Sequence, residues 1–64
     1  MKSLFVTYTN ESSDRFDYVK DLNRFNDILS FTYTVKTKVF ERTIDCRIRM
    51  EEVRKFEVWE DNVD

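Results

Sequence analysis

The sequence predicts a small α+β domain in which one helix packs on an antiparallel sheet, in the order β-α-β-β-β. Two patterns carry this prediction. Apolar and polar residues alternate over 4–9, 31–35, 43–50 and 55–59, the period of strands with one buried and one solvated face. Over 14–29 the apolar residues recur at the spacing of an amphipathic helix instead.

The first half of the chain supplies the predicted first strand and the helix. Leu4, Val6 and Tyr8 share one face of the strand. Ser12 or Ser13 is suited to cap the helix, because a side-chain oxygen there accepts a hydrogen bond from the free N–H groups of the first turn. The apolar stripe of the predicted helix consists of Tyr18, Val19, Leu22, Phe25, Ile28 and Leu29.

The runs 31–35 and 43–50 are predicted to form a hairpin. Their apolar faces coincide only if the numbers of paired residues sum to an odd number, since a slip of one residue turns every side chain to the other face. This condition requires a loop of even length, such as 38–41. Val39 and Phe40 then lie at or near the tip of the hairpin.

The run 55–59 is predicted to pair with 43–50 through a loop of odd length. A three-residue loop sets Arg47 against Glu57, and a five-residue loop sets Arg49 against Glu57. Either register places an opposite-charge pair on the solvated face, which stabilises neighbouring strands.

Residues 50–59 also fit a helix, which is the alternative for this part of the chain. Met50, Val53 and Phe56 are spaced three apart and stand among strong helix formers. The acidic tail 60–64 is predicted to fray.

The 64 residues are predicted to form one domain, 1–64, with a marginal core, because so short a chain buries only about 60% of its unfolded surface. The predicted core joins the apolar faces of all the elements. Its members are Leu4, Val6, Tyr8, Leu22, Phe25, Leu29, Phe31, Tyr33, Val35, Ile44, Cys46, Ile48, Phe56 and Val58.

Groups suited to catalysis or metal binding are scarce. The chain has no histidine and a single cysteine, Cys46, which excludes an internal disulfide and a structural zinc site. Cys46 is in register with the core and has no histidine to activate it as a nucleophile. The acidic pairs 51–52 and 60–61 have no surroundings that would separate two carboxyl pKa values. We therefore expect a non-enzymatic protein without a cofactor.

No apolar run approaches the roughly 20 residues of a membrane span, and the first residues lack the apolar stretch of a signal peptide. The absence of disulfides fits a reducing compartment, so we expect a cytoplasmic protein. A composition rich in Asn, Asp, Lys, Phe and Tyr is typical of AT-rich genomes, including those of many phages.

The function that these features favour is binding of a protein partner, as a regulator or inhibitor that occludes the partner's surface. Tryptophan and arginine are enriched among residues that dominate binding energy. The alternative for the single tryptophan is that it folds over the sheet edge and completes the core. The candidate contact residues are Trp59, Arg47, Arg49, Lys55, Val39 and Phe40.

Two other functions stay open. From Lys36 to Arg49 the chain holds five basic and two acidic residues, a local net charge of +3. A basic sheet face of this kind, extended by Lys55 and Trp59, is typical of proteins that bind single-stranded nucleic acid, although the formal charge of −2 for the whole chain opposes it. The third hypothesis is a structural subunit that acts as a homo-oligomer, because no proline blocks an open sheet edge.

Overall fold

The computed structural model describes residues 1–61 and shows a chain built almost entirely of strands. A single 3₁₀ turn, Met50–Glu52, joins the last two strands. No α-helix occurs among the described residues, so the predicted α+β class and the predicted helix over 14–29 are wrong. The strands are β1 (Lys2–Tyr8), β2 (Ser13–Phe16), β3 (Lys20–Phe25), β4 (Ile28–Lys36), β5 (Glu41–Arg49) and β6 (Val53–Glu60).

The strands form two antiparallel sheets of three strands each. The first sheet has the order β2-β1-β6, and the second sheet has the order β3-β4-β5. Buried side chains from both sheets meet in one cluster, so the core lies between the two apolar faces. The buried apolar residues are Leu4, Val6, Val19, Leu29, Phe31 and Ile48.

The segment predicted as a helix forms β2, β3 and the start of β4. A two-residue turn, 26–27, reverses the chain so that Phe25 lies opposite Ile28. Phe25 is therefore 69% exposed while Leu29 is 1% exposed, although the helical spacing placed both on one face. Pairing with neighbouring strands outweighs the weak local preference for a helix.

Four residues of this glycine-free chain take left-handed backbone conformations at turns or bulges. Glu11, Tyr18, Asp21 and Asn26 have φ values between 55° and 71°. Asp21 lies in a β-bulge, where β3 shifts register against β4. Tyr18 lies at the corner between β2 and β3, where a left-handed aromatic residue is strained. The usual glycine signal for a turn is absent at every one of these positions.

The hairpin of β4 and β5 has the predicted kind of register. Phe31 lies opposite Cys46 and Tyr33 lies opposite Ile44, so the paired numbers sum to an odd number. The strands leave a four-residue loop, 37–40, of the even length that was predicted. The loop begins one residue earlier than the example 38–41.

The predicted pairing of the last two strands is wrong, because β6 pairs with β1 and not with β5. The 3₁₀ turn redirects the chain from the second sheet to the first, and its Met50 N–H donates to the Asp27 carbonyl at 2.6 Å. Glu57 consequently lies opposite Phe5 instead of Arg47. The alternative of a helix over 50–59 is also wrong beyond the three residues of the turn.

Most of the predicted core is at least half-buried, but three of its members are exposed. Phe25, Val35 and Val58 expose 69%, 37% and 43% of their surface, because they lie on an outer face, near a strand end and on an edge strand respectively. At the chain end, β6 continues through Glu60, and the Asp61 N–H donates to the Met1 carbonyl at 2.8 Å. The rest of the predicted acidic tail, 62–64, lies outside the described residues.

Candidate functional site

Trp59 lies on the outer face of the first sheet, opposite Ser3, and is 61% exposed. Its ring meets Phe5 nearly edge-on, with centroids 6.1 Å apart and planes inclined by 69°. Its Nε1–H donates to the Glu57 carboxylate at 3.2 Å. Trp59 is therefore a surface side chain with two defined neighbours, not part of the core.

Arg15, on β2, lies on the other side of Phe5. Its guanidinium carbon is 5.2 Å from the centroid of the Phe5 ring, within the range of a cation–π contact. Its Nε–H donates to Asp17 Oδ1 at 2.9 Å. The same carboxylate oxygen accepts the hydroxyl proton of Ser3 at 2.9 Å. The bond from Arg15 holds the pKa of Asp17 below its usual value of 3.8, against the opposing effect of burial.

Two adjoining clefts, of about 480 and about 390 Å³, open on this surface and share Phe5, Arg15 and Trp59 as lining residues. Lys55 and Glu57 also line the larger cleft and lie 3.7 Å apart as an ion pair. We call the outer surface formed by these five residues the Trp59 face. Because Arg15 and Lys55 each have a carboxylate neighbour, the Trp59 face offers aromatic surface with little unbalanced charge.

The second sheet carries the two predicted arginines, Arg47 and Arg49, on its outer face. Ile28 lies between Phe25 and Arg49 in one row across the sheet, and Arg47 lies on the next outward-facing row, opposite Ser30. We call the surface formed by Phe25, Ile28, Arg47 and Arg49 the Arg47 face. Arg49 Nη1 lies 3.7 Å from Glu51 Oε1. One of the two positive charges of the Arg47 face is therefore partly balanced.

The predicted surface that joined Arg47 to Lys55 and Trp59 is not formed within one chain. Arg47 lies in the second sheet, while Lys55 and Trp59 lie in the first. The predicted extension of the basic face by these two residues is wrong for the same reason. Lys36 shares the outer side of β4 with Thr32 and Thr34. Its ammonium lies 4.0 Å from the centroid of the Tyr18 ring.

Val39 and Phe40 lie at the tip of the β4–β5 hairpin, as predicted, and expose 88% and 53% of their surface. Thr37 fixes the loop that presents them. Its hydroxyl oxygen accepts the N–H protons of Val39 at 3.2 Å and Phe40 at 3.1 Å. The Thr37 N–H also donates to the Phe40 carbonyl at 2.8 Å. These bonds order an apolar loop tip whose residues belong to neither named face.

The groups most suited to proton transfer are held in their neutral forms. Burial raises the pKa of the half-buried Cys46 thiol, so little thiolate forms near neutral pH. Burial, together with a hydrogen bond to Asp14, raises the pKa of Tyr8 to about 12. Within residues 1–61, no group of three or more His, Cys, Asp or Glu side chains is placed to hold a metal ion.

Sequence reasoning did not identify Phe5 and Arg15 as site residues. Arg15 falls within the predicted helix 14–29, and a helix there does not place it opposite Phe5 in a strand pair, where it lies. Phe5 carried a usable signal, because it is the large aromatic on the face of the first strand opposite to Leu4 and Val6.

Among the helices in the described part of the chain, none has the length and apolar character needed to cross a membrane. Comparisons of the chain with models of known protein families, with curated proteins and with solved structures give no significant match.

Proposed function

We propose that this chain is a non-enzymatic, cytoplasmic module that binds a partner protein through the Trp59 face and acts by occluding the partner's surface. One observation carries the proposal: Trp59 is 61% exposed although it contacts Phe5 and Glu57. A large aromatic side chain that is ordered before binding loses less conformational freedom in a complex. Exposed tryptophan with arginine nearby is the composition of binding hot spots.

The partner that fits the Trp59 face offers an apolar side chain. Phe5 lies in the strand row between Arg15 and Glu57, which form ion pairs with Asp17 and Lys55, and the Trp59 ring contacts Phe5. A buried apolar centre surrounded by polar groups is the usual arrangement in a protein interface. The paired charges add little net attraction, so binding through this face is expected to persist at high salt.

The test of this proposal is to compare Trp59→Ala with wild type. A partner captured by wild type in high salt is identified and its affinity for both forms is measured by calorimetry. We expect Trp59→Ala to weaken binding roughly 30-fold or more, which corresponds to a hot-spot loss of about 2 kcal/mol. Far-ultraviolet circular dichroism is expected to show an unchanged fold, because the side chain is on the surface.

Phe25→Ala is the matched control, since Phe25 is also an exposed aromatic, at 69%, but lies on the second sheet. It is expected to bind the partner as wild type does. Equal affinity of wild type and Trp59→Ala for the captured partner contradicts the proposal, and so does loss of the folded spectrum in Trp59→Ala.

A second candidate function is binding of single-stranded nucleic acid by the Arg47 face. The observation that favours it is the row in which exposed Phe25 and Arg49 flank Ile28, with Arg47 on the next outward-facing row. A base stacked on an aromatic side chain contributes about 1–3 kcal/mol, and arginine beside it contacts phosphate. The formal charge of −2 for the whole chain weakens its electrostatic attraction to phosphate, so this function is ranked second.

This second candidate is tested with a fluorescent oligothymidylate over a range of salt concentrations. We expect Phe25→Ala to weaken binding roughly fivefold or more, because stacking is lost. Arg49→Glu is expected to weaken binding and to reduce the salt slope by about 1, since one phosphate contact is lost. Trp59→Ala serves here as the control that keeps affinity. Absence of salt-dependent binding by wild type contradicts the candidate.

A further inference from the structure

β5 and β6 are both edge strands in the described part of the chain. β5 pairs only with β4, and β6 pairs only with β1. They are nine and eight residues long, and neither contains a proline. Their outward backbone N–H and C=O groups therefore form two long rows available for another strand.

The apolar side of these edges is incompletely covered. Val58 on β6 is 43% exposed, although its strand partner Leu4 is fully buried. On β5, Ile44 and Cys46 point to the core side but are only half-buried. The two edges thus leave core-facing side chains partly in solvent, next to backbone that pairs with no further strand among residues 1–61.

The two edges are complementary when β5 is laid antiparallel beside β6 with Cys46 opposite Val58. Ile48 then lies opposite Phe56 on the core side. On the outer side, Arg47 lies opposite Glu57. Apolar residues meet apolar residues on one face and opposite charges meet on the other, so both faces favour this register. Within one chain the 3₁₀ turn 50–52 sends β6 to the first sheet, and this pairing is not made.

We propose that β5 of one copy of this chain pairs antiparallel with β6 of the next copy, in the register that sets Cys46 opposite Val58. The contact uses two different surfaces of the molecule, so an open assembly always has one free β5 and one free β6 at its ends, and it grows as a filament unless a ring closes. It covers Val58 and completes both sheet edges. It also brings Arg47 of one copy beside Glu57 in the Trp59 face of the next copy. Arg47 and Trp59, which were predicted to share one contact surface, then share it across two copies.

A charge exchange tests both the partner and the register. Light scattering coupled to size exclusion is expected to show a wild-type mass that exceeds the monomer and rises with concentration. Arg47→Glu and Glu57→Arg each place like charges opposite one another, so each is expected to weaken self-association roughly tenfold or more. Combining both substitutions in one chain restores the pair and is expected to restore the mass.

An equimolar mixture of the two single variants is also expected to recover the larger mass, because each variant then supplies the charge that the other lacks. Both side chains are exposed, so folding is expected to persist in every form. Recovery in the mixture requires that β5 of one copy contacts β6 of another. Wild type that stays monomeric at every concentration overturns the proposal, and so do single variants that assemble like wild type or a double variant that stays dissociated.

The apolar side of the contact is tested by Val58→Lys, which places a charge on the core-facing side of β6. It is expected to reduce self-association roughly tenfold or more, because the lysine has no carboxylate opposite it in this register. Val39→Lys is the matched control, since Val39 is 88% exposed at the hairpin tip and lies on neither edge. If Val58→Lys and Val39→Lys reduce the assembled mass equally, assembly depends on general apolar adhesion. That result overturns the proposed β5–β6 register.

Discussion

Phe31→Ala is expected to lower the free energy of unfolding by about 3–5 kcal/mol, which is the usual cost of removing a buried phenylalanine side chain. Phe31 is 2% exposed and is among the largest fully buried side chains. Its ring centroid is 4.9 Å from that of Phe16 and 6.1 Å from that of Tyr33. A cavity at this position removes contacts that join the two sheets.

The effect is large because the chain is short. At roughly 0.05–0.15 kcal/mol per residue, a chain of 64 residues has a total stability of about 3–10 kcal/mol. Phe31→Ala is thus expected to remove a third or more of that stability. Urea unfolding followed by the fluorescence of Trp59 measures this loss as a lower midpoint, with the slope unchanged if the transition remains two-state.

Phe40→Ala is the matched control for the core prediction. It removes the same side chain at the hairpin tip, where Phe40 is 53% exposed, and is expected to cost less than about 1 kcal/mol. A midpoint for Phe31→Ala as high as that for Phe40→Ala would show that Phe31 does not hold the sheets together.

The position of Phe31 is the kind of feature that the sequence predicts well. Phe31 and Tyr33 alternate with threonines, and this period of two fixes which side of β4 is buried. The odd-sum pairing of β4 with β5 follows from matching Phe31 to Cys46 on the same face. These predictions depend only on local alternation and on one short loop, so they do not require the rest of the fold.

The wrong prediction of a helix over 14–29 has a definite physical cause. Leu22, Phe25 and Leu29 have helical spacing, but they belong to two strands that are joined by the turn 26–27. That turn and the bulge at Asp21 use left-handed residues other than glycine, so the chain carries no strong mark of reversal there. Strand pairing between distant segments, which local periodicity does not report, decides the conformation.

In the candidate site, too, local alternation predicts some features, while others depend on pairing between distant strands. The position of Trp59 on an outward face follows from alternation in its own strand, since Phe56 and Val58 take the other face. Its neighbours cannot be predicted from that alternation, because Phe5 and Arg15 lie beside Trp59 only through the pairing of β1 with β6 and β2. The predicted pairing of β5 with β6 placed Arg47 there instead.

Asp17→Ala is expected to lower the free energy of unfolding at neutral pH by about 1–3 kcal/mol, because it leaves a buried hydroxyl without an acceptor. Ser3 is 4% exposed, and its hydroxyl donates to Asp17 Oδ1 at 2.9 Å. The ion pair with Arg15 contributes less, since the side chains of Arg15 and Asp17 are 57% and 41% exposed. Urea unfolding at constant pH measures the loss.

The pH dependence of this loss follows from the direction of the pKa shift. The hydrogen bond from Arg15 lowers the pKa of Asp17 below 3.8, so the carboxylate stabilises the fold above that pH. The stabilisation is lost as the pH falls through the lower pKa of the folded state. The difference in stability between wild type and Asp17→Ala is therefore expected to narrow in acid. A difference that stays constant from neutral pH down to well below 3.8 contradicts this account.

A double-substitution cycle separates the buried hydroxyl from the ion pair. If the unsatisfied hydroxyl of Ser3 causes most of the loss, Ser3→Ala in the Asp17→Ala background is expected to recover part of the stability, because no buried donor remains. If the contact with Arg15 dominates instead, the second substitution recovers nothing and Arg15→Ala alone reproduces the loss. Since Asp17 also accepts the Thr34 N–H through its carbonyl at 3.3 Å, all variants keep the backbone contact between the two sheets. The cycle thus isolates the side-chain contribution at the corner that positions Arg15 against Phe5.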